Sequence, residues 1–323
     1  MIKNLLLIAI RNFKKDKWYS LLNILGLTIG ITFSLFLIFY ITDELSYDRY
    51  HEKANRIFRI VSYIQEKDKN TDWAITQLPL GPTLKKDYPE VEEMVRLQGR
   101  ERTLFKNGDN NFYETKIYYA DSTIFKVFTH KFYEGSPATA LNGPNSIVIT
   151  KSLADKYFGK NTSAVGKALR TVYDVYKVSA VIGDVPKNSH IRYDMLISMS
   201  SLLRGPNQDN LSNWGNFNNY TYVLMKPHTS ATAFNKKLAP MYDKYMAPIF
   251  AKFNVKMHYD VQPITAIHLH SSLDQEPEEL GSMSYIWIFS AVAFFMLLIA
   301  CINYMNLTTA RSARRAKKSA YVK

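Results

Sequence analysis

The chain has 323 residues, with 41 Lys and Arg against 28 Asp and Glu, and so a formal net charge of +13. A hydrophobic content of 47% excludes a disordered chain, and the slightly negative mean hydropathy excludes a bundle that crosses a membrane along its whole length. The single cysteine, Cys301, excludes an intrachain disulfide and a cysteine-rich zinc site.

Residues 1–20 place Ile2, Leu5, Leu6, Ala9, Ile10 and Phe13 at three- and four-residue spacing among Lys3, Asn4, Arg11, Asn12, Lys14 and Lys15. That spacing predicts an amphipathic basic helix lying on the cytoplasmic leaflet, its cations toward anionic lipid; the alternative is an early start of the first membrane helix. Leu21 to Ile41 then runs 21 residues without a charge, and Tyr285 to Tyr304 another 20. As helices each is about 30 Å long, the thickness of a bilayer's hydrocarbon core. Transmembrane helices are therefore expected over 21–42 and 284–305. Trp18, Tyr19 and Tyr40 flank the first span, and Tyr285, Trp287 and Tyr304 mark the second, positions suited to the headgroup layer. Gly26 and Gly30 form a Gly-x-x-x-Gly face that lets helix backbones approach.

Charge near the span ends sets orientation. Lys14, Lys15 and Lys17 precede the first span, and Arg311, Arg314 and Arg315 follow the second, whereas Asp43, Glu44 and Asp48 and later Asp274, Glu276, Glu278 and Glu279 border the segment between. Both termini are expected to be cytoplasmic, with residues 43–283 outside. The first 20 residues contribute +4 and the last 18 contribute +6, leaving +3 on the 30 basic and 27 acidic residues between. The charge thus reports topology and argues against a nucleic-acid partner. The first span is too long for a cleaved signal peptide, and no small-residue cleavage site follows it, so it reads as a signal anchor.

The outer segment reads as mixed α and β. Strands are predicted at Ile57 to Ile64, Ser146 to Thr150, Tyr176 to Ile182 and Tyr220 to Met225, all rich in branched and aromatic residues. Helices are predicted at Lys151 to Tyr157 and after Ser230, a plausible N-cap; there Phe234, Leu238, Met241 or Tyr242, and Tyr245 share a face, with a kink at Pro240.

Candidate chemistry is sparse. Gly159 to Ala168 resembles a phosphate loop at a glance, but its glycines are seven apart and Ala168 replaces the required hydroxyl, so it reads as a turn after a helix. His268 and His270 are two apart and would share a face on a strand, with His258 and Asp260 upstream, yet no third metal ligand stands out. Glu276, Glu278 and Glu279 read as a solvated flank of the second span. No serine sits in a Gly-x-Ser-x-Gly elbow. The basic run after the second span reads as a topology signal, and the chain is expected not to be an enzyme and to hold no metal and no cofactor of its own.

Several stretches resemble ABC transporter permeases of the MacB/FtsX type, in the form with a MacB-like periplasmic core domain found in Bacteroidota: RNFKKDKWYSLLNILGLTIGI, DELSYDRYHEKANRIFRI, SLADKYFGK, VIGDVPKNSHIRYDMLIS, PITAIHLHS and ACINYMNLTTARSARRAK. The resemblance covers nearly the whole chain. It implies an α+β membrane protein in which two transmembrane helices flank a mixed α/β extracytoplasmic domain, a porter-like subdomain with a β-rich subdomain inserted at about 140–215. It also implies location in the bacterial inner membrane, a second permease copy, and a separate cytoplasmic ATPase that binds the ATP. In such permeases the membrane helices carry ATP-driven motion to the periplasmic domain, expelling peptides or antibiotics, extracting lipoproteins or activating cell-wall enzymes. After Lys317 the family continues with an acidic residue and a glycine-containing turn, whereas here Lys318, Ser319, Ala320, Tyr321, Val322 and Lys323 follow. That departure implies a coupling region, within 306–323, that is cut short or altered. The competing expectation is a two-span extracytoplasmic sensor whose output module follows Lys323.

Overall fold

A computed structural model describes residues 17–204, 209 and 211–320. The chain divides into two units, Met1–Leu45 with Gly281–Lys323, and Ser46–Leu280. The expected leader helix, with Lys14 and Lys15, lies outside the described residues but for its last four.

Helix α1, Lys17–Leu45, opens the chain. The outer unit follows with β1 Ile57–Gln65, β2 Asn70–Trp73, β3 Thr76–Gln77, α2 Leu80–Asp87, β4 Val91–Arg100, β5 Thr103–Asn107, β6 Asn110–Glu114, β7 Ile117–Ala120, β8 Phe132–Glu134 and β9 Ser146–Thr150. Then come α3 Lys151–Phe158, β10 Ala168–Arg170, β11 Val175–Ile182, β12 Met195–Ser198, β13 Phe217–Met225, α4 Ala231–Leu238, β14 Lys256–Pro263 and α5 Ile264–His270. Helix α6, Met283–Ala320, closes the described chain.

The strands join in one sheet of order β14-β1-β13-β4-β7-β12-β9-β11-β10-β5-β6, with β2, β3 and β8 beside β1, β13 and β11. Residues 57–100 and 217–263 form the near run and residues 103–198 the far run. Strands β5 to β8 precede residue 140 yet belong to the far run, so the stretch expected as an insertion at about 140–215 covers only its later part. Strand β1 is buried along almost its whole length, as a mainly branched and aromatic strand covered on both faces is, with Arg59 and Ser62 buried among its apolar residues. One core lies over the near run, where Leu80 and Leu84 of α2 meet Phe234 and Leu238 of α4. Another lies over the far run around Phe105, Leu153, Tyr157 and Tyr176. A third, through Leu97, Ala120, Leu196, Tyr222 and Leu224, joins the two runs.

Local chemistry sets the helix ends. The Ser230 hydroxyl accepts from the Ala233 N–H, capping α4. The single longer helix expected there stops at Leu238, and beyond Pro240 the backbone resumes as a π turn, Tyr242–Met246. Gly159 ends α3 with φ at +86°, the turn expected in place of a phosphate loop.

In the other unit, α1 and α6 are each long and apolar enough to cross a bilayer, and most of their described side chains are exposed. They run against each other along a seam of small side chains. Ile286, Ala293 and Ala300, every seventh residue of α6, are buried, and the Ser34 hydroxyl is satisfied by the Gly30 carbonyl at 2.8 Å.

Candidate functional site

Among the described residues no group of three or more His, Cys, Asp or Glu side chains comes together that could hold a metal ion. His268 and His270 lie on helix α5 instead of a strand. Two residues apart on a helix they point about 200° around the axis from each other, so they cannot chelate as a strand pair would. His268 stacks on Tyr47, with ring centroids 3.4 Å apart and planes 3° from parallel. The acidic cluster needs correcting too. Only Glu279 is exposed, while Glu276 and Glu278 are ion-paired to arginines of the fold.

Arg59, on β1, is fully buried. Its Nη1 and Nη2 each donate to a Glu276 carboxylate oxygen at 2.5 Å, and Nη2 also donates to Gln262 Oε1 at 2.7 Å. A guanidinium without water needs this forked carboxylate to offset its desolvation. The effect is to fasten the segment just before α6 to the sheet, and the Arg192–Glu278 pair fastens it again two residues later.

A second clasp holds the segment that leaves α1. Asp48 is buried, with φ at +59°, a conformation that Asp tolerates better than most residues. Its N–H donates to the Asn188 carbonyl at 3.0 Å, and its carboxylate accepts from the His190 N–H at 3.2 Å. His190 Nδ1 lies 2.8 Å from Asp48 Oδ1, close but bent from a straight hydrogen bond. On its far side His190 Nε2 lies 2.8 Å from the Tyr222 hydroxyl of β13. Around this axis the Tyr50 hydroxyl donates to Ser189 Oγ, the Thr129 N–H donates to His51 Nδ1, and the Glu52 N–H donates to Thr129 Oγ1.

Burial governs the titration of these groups. It lowers His51 to about 3, with Asp48 opposing and His190 and His130 reinforcing the shift, and it lowers His130 to about 4. It pushes the hydroxyls of Tyr50, Tyr193 and Tyr222 upward, so all three stay protonated donors.

The arrangement does not resemble a nucleophilic triad. The second nitrogen of His190 faces a tyrosine hydroxyl, and Ser189 donates to the Ile191 carbonyl at 2.9 Å. The geometry serves to hold: two chain segments that border long apolar helices are locked into one sheet.

Among the residues singled out in the sequence, Gly26 and Gly30 face α6 of the same chain. A Cβ on Gly30 would stand 3.2 Å from Ala300 Cβ, and one on Gly26 would stand 3.5 Å from Asn303 Nδ2. Lys17 and Trp18 begin α1 and both are exposed. Arg311, Arg314 and Arg315 fall within α6, and their side chains lie outside the described residues. Sequence reasoning missed Asp48, Arg59, His190 and Tyr222. Three of them sit in stretches that carry the family resemblance, but nothing in the linear order says that residue 48 meets residue 190.

Compared with known proteins, residues 20–241 match the MacB-like periplasmic core domain. The chain belongs to this family. It is a membrane-type permease chain of the ABC transporter class, in which two candidate spans flank a MacB-like periplasmic domain. A crystal structure of a domain from Porphyromonas gingivalis, described as part of a permease, shares the fold, with a TM-score of 0.60 at 23% identity over 67% of this chain and 92% of that one. The periplasmic region of MacB from Actinobacillus actinomycetemcomitans aligns with a TM-score of 0.45 at 14% identity, over 63% of this chain and 88% of that one. The extracellular domain of the ABC-type transporter YknZ from Gram-positive bacteria aligns with a TM-score of 0.45 at 17% identity, over 64% and 99%. No curated protein matches the chain.

Proposed function

We propose that this MacB-like chain is a non-catalytic permease subunit that passes ATP-driven motion from a separate cytoplasmic ATPase to its periplasmic domain, for export or extraction of a substrate such as a peptide. The observation that carries this reading is the pair of clasps. A domain that transmits a pull is served by buried polar contacts on both chain segments that border its apolar helices: Asp48–His190 grips the segment after α1 and Arg59–Glu276 the segment before α6. A force arriving along either helix meets the sheet through a short, low-entropy connection.

In this reading ATP is bound by the ATPase, and the chain itself holds no cofactor, metal or catalytic residue. Both termini are cytoplasmic and residues 43–283 periplasmic. The leader over 1–20 and the tail over 306–323 frame the spans at 21–42 and 284–305. Lys14, Lys15, Lys17, Trp18, Arg311, Arg314 and Arg315 anchor the spans at the inner-membrane surface. Gly26 and Gly30 serve helix packing. A second copy completes the permease, membrane lipids surround it, and nucleic acid is not a partner.

Two measurements on the full-length protein test the proposal. Reporters fused at either end should score cytoplasmic, and one inserted after Asp209 should score periplasmic. An ABC ATPase from the same genome should copurify with the protein and hydrolyse ATP faster in the complex than alone. A periplasmic N-terminus, or ATP hydrolysis indifferent to the chain, would overturn it.

A further inference from the structure

The far end of the sheet carries charge that the fold leaves unbalanced. Strands β5 and β10 pair with Lys106 directly opposite Arg170, and like charges at opposed positions on one sheet face repel. Phe105, Leu169 and Tyr176 are buried in the core beneath, so Lys106, Arg170 and Lys177, each one residue along from them, lie on the exposed face. Among the described residues no salt bridge engages any of these three cations. Arg102 adds a fourth, held 4.4 Å over the Tyr113 ring.

The acids of the same hairpins do not offset them. Glu114 is turned to the buried face, where Lys156 and the Tyr157 hydroxyl donate to it. Asp174 accepts from the Tyr176 hydroxyl at 3.0 Å. Glu101 and Asp109 are exposed outside the strands, one before β5 and one in the hairpin turn. Exposed apolar side chains cluster at this end as well: Tyr113, Val172, Tyr173 and Val175.

Strand β6 ends the strand order and pairs with β5 alone. The β5–β6 hairpin closes at Asn107–Asn110 around Gly108, whose φ of +58° suits the first central position of a two-residue turn. Antiparallel alternation from that closing pair turns the backbone N–H and C=O of Asn111 and Tyr113 toward the open edge.

We propose that this end of the domain docks an extended acidic polypeptide segment, which adds as a strand to β6 and brings its carboxylates to Arg102 and Lys106. The open edge favours a polypeptide over an anionic lipid surface, because its alternating donors and acceptors match a second backbone and have no counterpart in a headgroup. Side chains on one face of the added strand stand about 10 Å from the β5 backbone, two strand spacings, a gap that a lysine and a glutamate bridge together. The repulsion between Lys106 and Arg170 keeps the lysine available for that contact.

Arg170→Glu tests this directly. It gives Lys106 a partner within the sheet, so it removes the docking charge and relieves the repulsion at once. The full chain, in nanodiscs of zwitterionic lipid, is titrated into a fluorescein-labelled decapeptide of alternating glutamate and threonine, read by fluorescence anisotropy. The parent should bind, more weakly as salt rises, and Arg170→Glu should bind at least about ten-fold more weakly while melting at the same or a higher temperature. Asn111→Pro, which removes one edge donor and no charge, should also weaken binding. Unchanged affinity in Arg170→Glu would mean that the basic termini hold the peptide, and it overturns the proposal. So does binding to phosphatidylglycerol vesicles through Arg170 without binding to the peptide.

Discussion

Arg59 on β1 and Tyr222 on β13 stand directly opposite each other across the antiparallel ladder. Arg59 holds Glu276, and Tyr222 holds His190, which in turn faces Asp48. One cross-strand pair therefore links the two clasps, and the segment after α1 is continuous in hydrogen bonds and packing with the segment before α6. Within the outer unit, displacement of either segment has to be felt by the other.

The ion pair at the centre of this chain should be costly to break and cheap to replace. Arg59→Ala strands the Glu276 carboxylate without water and should destabilise the domain by about 3–5 kcal/mol. The double replacement Arg59→Met with Glu276→Met should cost much less, since neither charge is then left alone. Chemical unfolding followed by tryptophan fluorescence separates the two, and equal losses would contradict the account.

Tyr222→Phe removes one hydroxyl and leaves the ring in place. His190 Nε2 then loses its partner in a fully buried site, a loss of about 1–3 kcal/mol. The same variant should weaken coupling between ATP hydrolysis and the periplasmic domain, seen as a smaller difference in ATPase rate between the complex and the isolated ATPase. A variant as stable and as well coupled as the parent would remove Tyr222 from the link.

His51 and His130 predict a pH dependence of definite sign. Their folded values, about 3 and about 4, lie below the ordinary 6.5. Between about 6.5 and 4 the unfolded chain therefore binds protons that the folded chain refuses, and stability falls as pH falls through that window. Across that window each histidine accounts for roughly 3 kcal/mol. The melting temperature should drop between pH 7 and pH 4.5, and drop less in His130→Gln. A flat profile would show that these rings are solvated.

On the α1–α6 seam, Gly30→Leu forces a side chain against Ala300, which already stands 3.2 Å from the position of the added Cβ. It should lower the thermal midpoint of the detergent-solubilised protein, and Ala300→Gly should restore part of the loss. A loss that Ala300→Gly leaves untouched would place the effect elsewhere on α1.

The sequence made the parts legible and left their meeting unread. Uncharged runs of 20 and 21 residues showed both long apolar helices, and the branched run at Ile57 to Ile64 showed β1, because hydropathy and period are local signals. The acidic cluster before the second span looked solvated, since charge near a span usually is. Glu276 proved otherwise because its partner, Arg59, lies 217 residues away in the chain. The histidine pair misled for a similar reason: His268 and His270 follow β14, but Pro263 ends that strand and a helix begins at Ile264. Gly26 and Gly30 were visible as a packing face, while their neighbour, α6 of the same chain, became apparent only in the fold.

In the function proposed above, nucleotide-driven motion reaches the periplasmic domain through the clasps. Tyr173, 90% exposed, offers a labelling position that disturbs no core contact. With Cys301→Ser removing the native thiol, a spin label at Tyr173→Cys reports the distance between the two copies of the proposed complex, reconstituted with the proposed ATPase. Double electron–electron resonance should show a shift in that distance between the nucleotide-free and ATP–vanadate states, and a smaller shift when Tyr222→Phe is added. Identical distance distributions in the two nucleotide states would contradict the account.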